Sequence, residues 1–188
     1  MDVAGRRGLA ALVSSLLDVT RIEGDPGAQR AEAVSPGDIV DTVTGECELE
    51  ANARQCRIVV QKRTDQMIEG YPELLRRAVE NVVRNAIRYA PAHTDVVVET
   101  EDTADGVAIT VRDHGPGVSD ADIPRLIQPF FRVDRARDVA AGGVGLGLSI
   151  AHRSVVLHHG SMEIENADPG LRVRLILPSR PSSYQAVS

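Results

Sequence analysis

The sequence predicts an α/β sandwich: a mixed, mostly antiparallel sheet with helices on one face. Two observations lead to that expectation. Helical stretches with apolar residues at spacings of three and four alternate with short runs rich in Val, Ile and Thr. Two of those runs, Asp95 to Glu101 and Val107 to Asp113, flank Asp105-Gly106, a dipeptide suited to the tight turn of a hairpin. Antiparallel pairing among interleaved helices is a two-layer α+β pattern. With 188 residues, the chain suits one domain of ordinary size with something small attached.

The elements follow in order. Leu9, Leu12, Leu16 and Val19 make a narrow helical stripe that Gly24-Asp25-Pro26-Gly27 ends abruptly. A helix of fewer than about 20 residues with such a stripe is marginal alone. It is either a surface helix packed on the domain or the end of a longer pairing helix. Ser35-Pro36-Gly37-Asp38 opens a second helix to about Gln55, and Arg57 to Gln61 reads as a strand. Tyr71-Pro72-Glu73 places Pro at the start of a helix that runs to Tyr89 and stops at Ala90-Pro91. After the hairpin, Gly115 to Gly147 is loop-like apart from a short helix at Ser119 to Ile127. Leu146 to His158 returns to helix. Ser161 to Glu165 and Leu171 to Leu177 then pair across Asp168-Pro169-Gly170. The tail from Ser179 is polar and is expected to be disordered.

Composition narrows the partners. Hydrophobic residues make up 43% but aromatics only 3%, so the core must be built from Val, Ile, Leu and Ala. A net charge of -6 argues against a nucleic-acid partner. Lys62 is the only lysine. Cys47 and Cys56 read as buried thiols in a reduced, intracellular setting. No run approaches the roughly 18 apolar residues of a spanning helix. The expectation is therefore a cytoplasmic segment without membrane contact, any anchor belonging to a longer parent.

Three stretches hold the candidate chemistry. In the helix ending at Tyr89, Leu75, Val79, Val82 and Ala86 share the core stripe, while Asn81, Asn85 and Arg88 line a second one. Asn is a poor helix-interior residue because its amide competes for backbone hydrogen bonds. Two aligned one turn apart are either a solvated face or a site where an amide oxygen ligates Mg²⁺ and an Arg meets phosphate. Next, Asp113-His114-Gly115-Pro116-Gly117 closes a strand. A carboxylate there can accept the exocyclic amine proton of adenine, and the glycines let backbone approach the base. Finally, Gly142-Gly143-Val144-Gly145-Leu146-Gly147-Leu148-Ser149 leads into a helix, where exposed N–H groups and the dipole favour an anion. It lacks the Gly-Lys-Ser/Thr of a P-loop and the preceding strand of the dinucleotide fingerprint. Between the last two, Pro129-Phe130-Phe131-Arg132 and the spaced Arg135 and Arg137 suit a lid, its rings as anchors and its cations reaching phosphate.

In order and spacing these stretches resemble the sensor histidine kinases of two-component systems. Asn81-x-x-x-Asn85-x-x-Arg88-Tyr89 resembles their N box and Asp113-x-Gly115-x-Gly117-Val118 their G1 box. Pro129-Phe130-Phe131-Arg132 resembles the F box, and Gly143-Val144-Gly145-Leu146-Gly147-Leu148 the G2 box. The run from Phe130 through Arg137 to Leu148 looks most like the envelope-stress (Cpx-type) kinases, and Leu16 to Glu23 like the end of a second dimerisation helix. The resemblance implies a Bergerat ATP-binding fold. It divides the chain into a dimerisation stub (1–24), a catalytic ATP-binding domain (25–178) and a tail (179–188). It further implies that Asn85 ligates Mg²⁺, Asn81 and Arg88 face the phosphates, and Tyr89 borders the pocket. Asp113 would read adenine, with Gly115, Gly117 and Val118 beside it. Arg132 and Arg137 would act from the lid, and Gly143, Val144, Gly145, Leu146, Gly147 and Leu148 would cradle the phosphates. The implied partners are ATP and ADP, the phosphoacceptor domain of a parent kinase and the receiver domain of a response regulator.

The same resemblance separates a kinase from an ATPase or a nucleotide-binding regulatory module. ATPase relatives place a water-activating Glu four residues before the metal-binding Asn, where this chain has Asn81. Glu80 is one residue off, about 100° around the helix. The acceptor of a histidine kinase sits in a His-Glu/Asp-x-Arg context that none of His93, His114, His152, His158 and His159 has. This chain alone is thus expected to bind ATP without phosphorylating itself. His158-His159 before Gly160 reads as a pair of cations suiting a helix C-terminus. Val144 stands where Thr or Ser is common, removing a hydroxyl worth about 1 kcal/mol.

Overall fold

Residues 31–133 and 145–179 are described in the computed structural model, and the N-terminal stub lies outside them. Strands β2 (Arg57–Lys62), β4 (Asp95–Asp102), β5 (Gly106–Arg112), β7 (Leu171–Pro178) and β6 (Ser161–Asn166) form one sheet in that spatial order. β2 and β4 run parallel, and every other pair is antiparallel. A second, two-stranded sheet pairs β1 (Glu32–Val34) with β3 (Ile68–Gly70). Neither of these strands was expected, because three residues are too few to leave a period-2 pattern.

Alternation along the strands sets the two faces of the sheet. Val96, Val98, Val107, Ile109, Val111, Val173, Leu175 and Leu177 are buried against the helices in one cluster. The register stacks Val98, Val111, Val173 and Ile164 across four strands, a row of aliphatic cross-strand neighbours. Glu99, Glu101, Arg172 and Arg174 occupy the intervening positions. Of these, Arg174 pairs with Glu101 at 3.0 Å and Arg172 with Glu165 at 2.6 Å across the strands.

Among the described residues, three helices cover the core face. α1 (Pro36–Ala53) starts on Ser35, whose Oγ accepts from the Asp38 N–H at 3.1 Å, with Pro36 in the first turn. α2 (Pro72–Tyr89) buries Leu75, Val79, Val82 and Ala86 as the spacing predicts, together with Ala78, Val83 and Ile87. Burying a side chain such as Val79 or Leu75 contributes about 1.5–3 kcal/mol each. α3 (Gly147–Leu157) packs beside α2 and contributes Leu148, Ala151 and Val155 to the same cluster. Cys47 and Cys56 are buried as expected, and burial raises both thiol pKa values.

Three expectations need correction. The helix at Ser119 to Ile127 is only a single 3-10 turn, Ile123–Arg125. Pro124 has no N–H to donate, and Asp122, Arg125, Leu126 and Gln128 each bond three residues back, giving linked turns in place of a helix. Ser179 is no free tail residue, since its N–H donates to Asp105 O at 2.8 Å and its carbonyl accepts from Glu69 at 3.2 Å. His158, read as a cation, is instead 6% exposed and neutral in character. Its Nδ1 donates to Ser154 O at 2.7 Å and its Nε2 accepts the Tyr71 N–H at 2.9 Å, tying the end of α3 to the start of α2.

That arrangement makes stability sensitive to acid. Burial pulls the His158 pKa below its ordinary 6.5, with His159 adding to the effect and the Ser154 bond opposing it. The unfolded chain therefore takes up this proton first, so the contribution is complete above pH 6.5 and is lost as pH falls through the folded value. The melting temperature is expected to fall more between pH 7.5 and 5.5 in the wild type than in His158→Gln, which keeps a donor and an acceptor but cannot titrate. Parallel melting curves in the two proteins would contradict this.

Candidate functional site

Four segments converge beside α2. Asn81 and Asn85 are half-buried, one turn apart, on the flank of the helix that turns from the core stripe. The Asn81 amide donates to Arg77 O at 2.8 Å, which settles the side chain along the helix. Its Oδ1 lies 3.1 Å from where a Cβ on Gly147 would sit, so the first residue of α3 abuts the asparagine stripe. Arg88 is half-buried, and its carbonyl accepts from the Arg54 guanidinium at 3.1 Å. Tyr89 is exposed at the helix end, and its carbonyl oxygen is 2.7 Å from a Cβ position on Gly115. Only glycine permits that approach.

Asp113 follows β5 and is 4% exposed. Its Oδ1 accepts the Gly115 N–H at 2.7 Å and the Leu171 N–H at 3.3 Å. Both bonds fall on one oxygen, which leaves Oδ2 as the acceptor for a ligand. Desolvation raises the carboxyl pKa, while the two backbone donors, and then His114 and Arg112, pull it down. The His114 ring turns the other way, its Nδ1 donating to Asp95 O at 2.9 Å. It joins Thr110, Arg112 and Arg172 around a depression of about 350 Å³ on the charged face of the sheet, across from the asparagines.

After Asp113 the chain turns through Gly117 at φ +67° to Val118, which is half-buried. Further on, Phe130 N–H donates to Gly145 O at 2.8 Å, joining the phenylalanine segment to the glycines before α3. Gly145 has φ +78°, and a Cβ there would lie 2.9 Å from Phe131 O and 3.2 Å from Arg132 Cγ. Leu146 and Leu148 are buried. The two phenylalanines differ from the expected pair of anchors. Phe130 is 52% exposed, whereas half-buried Phe131 lies under the Arg125 guanidinium at 4.1 Å. Arg132 is half-buried, and Arg137, Gly143 and Val144 lie outside the described residues.

Asn81, Asn85, Tyr89, Asp113, Gly115, Gly145 and Gly147 thus line one wall between α2, the turn after β5 and the start of α3. Sequence reasoning missed Asn166 and Gly170, which brace the turn after Asp113 from the β6–β7 connection. A Cβ on Gly170 would lie 2.0 Å from Asp113 O, and Asn166 bonds the Val118 backbone. The one available signal was Gly170 itself, closing a turn after Pro169.

The wall suits a nucleotide. A buried carboxylate beside glycines that admit no Cβ forms a slot for a flat base with an amine donor, and a helix start with exposed N–H groups suits phosphate. Among the described residues no group of three or more His, Cys, Asp or Glu could hold a metal ion. A Mg²⁺ ion fits only as one held by phosphates, its own waters and a single amide oxygen such as that of Asn85.

Residues 70–181 match the family described as histidine kinase-, DNA gyrase B- and HSP90-like ATPase, and the chain belongs to it. Within that family it is an ATP-binding catalytic domain of the sensor histidine kinase kind. It is 32% identical over 180 residues to the sensor-like histidine kinase SenX3 of Mycolicibacterium smegmatis, covering 95% of this chain and 47% of that protein. It is 44% identical over 110 residues to the sensor histidine kinase CpxA of Escherichia coli K12, covering 58% of this chain and 24% of that protein. The chain therefore spans about half the length of one relative and a quarter of the other. The mycobacterial sensor histidine kinase MprB superposes with a TM-score of 0.68 at 26% identity, over 81% of this chain and 99% of that one.

Proposed function

We propose that the chain binds Mg-ATP along the wall between α2 and the start of α3, and transfers the γ-phosphate to a histidine on a dimerisation domain outside it. The observation that carries this reading is Asp113: a buried carboxylate, fixed through one oxygen by two backbone donors, with Gly115 wedged between it and the Tyr89 carbonyl at the end of α2, the helix whose Asn81 meets Gly147. Asp113 Oδ2 accepts the adenine amine, and the N–H groups at the start of α3, with Asn81 and Arg88, face the phosphates; Arg132 and Arg137 are assigned to a lid by the family motif alone. Asn85 would contribute an amide oxygen to Mg²⁺, which would supply positive charge to offset that of the phosphates. Positioning and charge neutralisation dominate phosphoryl transfer, so no base is needed on α2.

Residues 1–24 are read as the end of the second dimerisation helix and 25–178 as the catalytic domain. The match to SenX3, which covers 95% of the chain, supports carrying the likeness well outside residues 70–181. The phosphoryl group would pass from the acceptor histidine to the receiver domain of a response regulator. ATP supply puts this chemistry in the cytoplasm, and no helix among the described residues is long and apolar enough to cross a membrane.

Hydrolysis as the main activity is disfavoured by Glu80. Its carboxylate is held by Arg76 at 3.3 Å and Arg84 at 3.0 Å on the side of α2 facing α1, where Glu46 and Glu50 join the network. Glu80→Gln is expected to leave phosphotransfer within about twofold and to cost less than about 1 kcal/mol of stability, since such pairs are partly exposed. A tenfold loss of turnover in that variant would make Glu80 a catalytic base after all. The broader test supplies a separate dimerisation domain bearing its acceptor histidine, with γ-labelled ATP. Acid-labile label on that domain is the expected result. Tight ATP binding without labelled histidine would instead define a nucleotide-binding regulatory module.

A further inference from the structure

We propose that Asn166 is a positioning residue for the adenine-reading turn, and that through it the β6–β7 connection sets the base specificity of nucleotide binding. The inference rests on the nucleotide reading above. Asn166 is the last residue of β6, and its carboxamide faces the main chain of Val118. Oδ1 accepts the Val118 N–H at 3.0 Å, and Nδ2 donates to Val118 O at 2.8 Å and to Asp120 Oδ1 at 3.1 Å. One side chain thus satisfies both backbone groups of Val118, as a neighbouring strand would. The preceding residue must be glycine for this to happen, because a Cβ on Gly117 would lie 2.7 Å from Asn166 Oδ1.

The same connection holds the opposite end of the turn. Leu171 N–H reaches Asp113 Oδ1 at 3.3 Å, Asp113 N–H donates to Leu171 O at 3.0 Å, and Gly170 is pressed against the Asp113 carbonyl. Residues 166–171 therefore clamp the segment from Asp113 to Val118 at both ends, one end by backbone and the other by the Asn166 amide. Asn166 itself is exposed and outside the core cluster, so removing its amide loosens the turn without opening the fold. A loosened turn no longer fixes the direction of the Asp113 carboxylate. That direction is what favours adenine, whose amine donates, over guanine, whose carbonyl at the same place repels a carboxylate.

The test titrates ADP, ATP and GTP into the full chain and follows its melting. Asn166→Ala is expected to lower ATP affinity about tenfold, the effect of one to two lost hydrogen bonds. GTP affinity should fall less, so the ratio of ATP to GTP affinity narrows, while the melting temperature of the free protein moves by less than about 2 °C. A second variant guards against misfolding. Asn166→Asp keeps the acceptor for Val118 N–H but sets a carboxylate oxygen against both Val118 O and Asp120, and adding Asp120→Asn relieves the second of these clashes by restoring a donor there. The double variant should recover part of the affinity and of the ratio that Asn166→Asp loses. Unchanged ATP affinity and ratio in both single variants would overturn the role of Asn166, as would equal losses for ATP and GTP without rescue. No nucleotide binding by the wild type would overturn the nucleotide reading, and this inference with it.

Discussion

Asp113→Asn is expected to weaken ADP binding at least tenfold, about 1.4 kcal/mol, while raising the melting temperature of the free protein at neutral pH. Both effects come from the same oxygen pair. Asn can still accept the Gly115 and Leu171 N–H groups through Oδ1. In place of Oδ2 it offers an amide NH2, which meets the adenine amine donor to donor and leaves a buried polar contact unmade. Stability moves the other way because burial raises the folded pKa of Asp113 above its ordinary 3.8. A carboxyl with a raised folded pKa contributes its stability below the unfolded value and loses it as pH rises through the folded one. At pH 7 the ionised group is therefore a cost that neutral Asn removes. Each 1 kcal/mol recovered is worth about 2–4 °C in a chain of this size. Melting curves with fluorescence competition against ADP read both quantities; a variant that loses stability and keeps affinity would contradict the assignment.

Gly170→Ala should produce the largest loss of stability. Gly170 has φ +95°, where side chains are strained, and its Cβ would lie 2.0 Å from the Asp113 carbonyl oxygen and 2.9 Å from Oδ1. Backbone strain of about 1–3 kcal/mol and overpacking of about 1–3 kcal/mol point to a total of about 2–6 kcal/mol, a fall of at least about 4 °C. Nucleotide affinity should fall in the same variant, because the displaced group is the backbone of Asp113. Gly45 provides the contrast. It sits inside α1 with nothing within 4 Å of its Cβ position. Gly45→Ala should therefore stabilise by about 0.5–1 kcal/mol through helix propensity alone. If both variants melt like the wild type, the close packing of the β6–β7 connection on Asp113 is wrong.

How much was legible in the sequence depended on the range of the interactions. α2 could be read completely, because its core stripe and its asparagine stripe are both local periodicities and Pro72 marks its start. The hairpin of β4 and β5 was equally clear from Asp105-Gly106 between two Val-rich runs. β1 and β3 escaped because their three-residue pairing depends on partners more than thirty residues apart, Val34 opposite Ile68. His158 was misread for a related reason. Its position before Gly160 fits a cation at a helix end, but the Tyr71 N–H that holds it neutral comes from 87 residues upstream.

The site divides the same way. Asn81, Asn85, Asp113 and the glycines before α3 stand out because each departs from what its local element wants. Asn166 does not stand out, since an Asn ending a surface strand is ordinary and its partner Val118 lies 48 residues away. The exposure of Phe130 was likewise hidden, because a paired Phe-Phe says nothing about which ring faces in.

The central claim is that this chain binds ATP through the wall between α2 and the start of α3. Calorimetric titration of a non-hydrolysable ATP analogue into the wild-type chain, with and without Mg²⁺, tests it most directly. The account predicts micromolar binding, strengthened by Mg²⁺ and competed by ADP. No heat of binding under either condition would contradict it, leaving an interaction scaffold on a kinase-like fold.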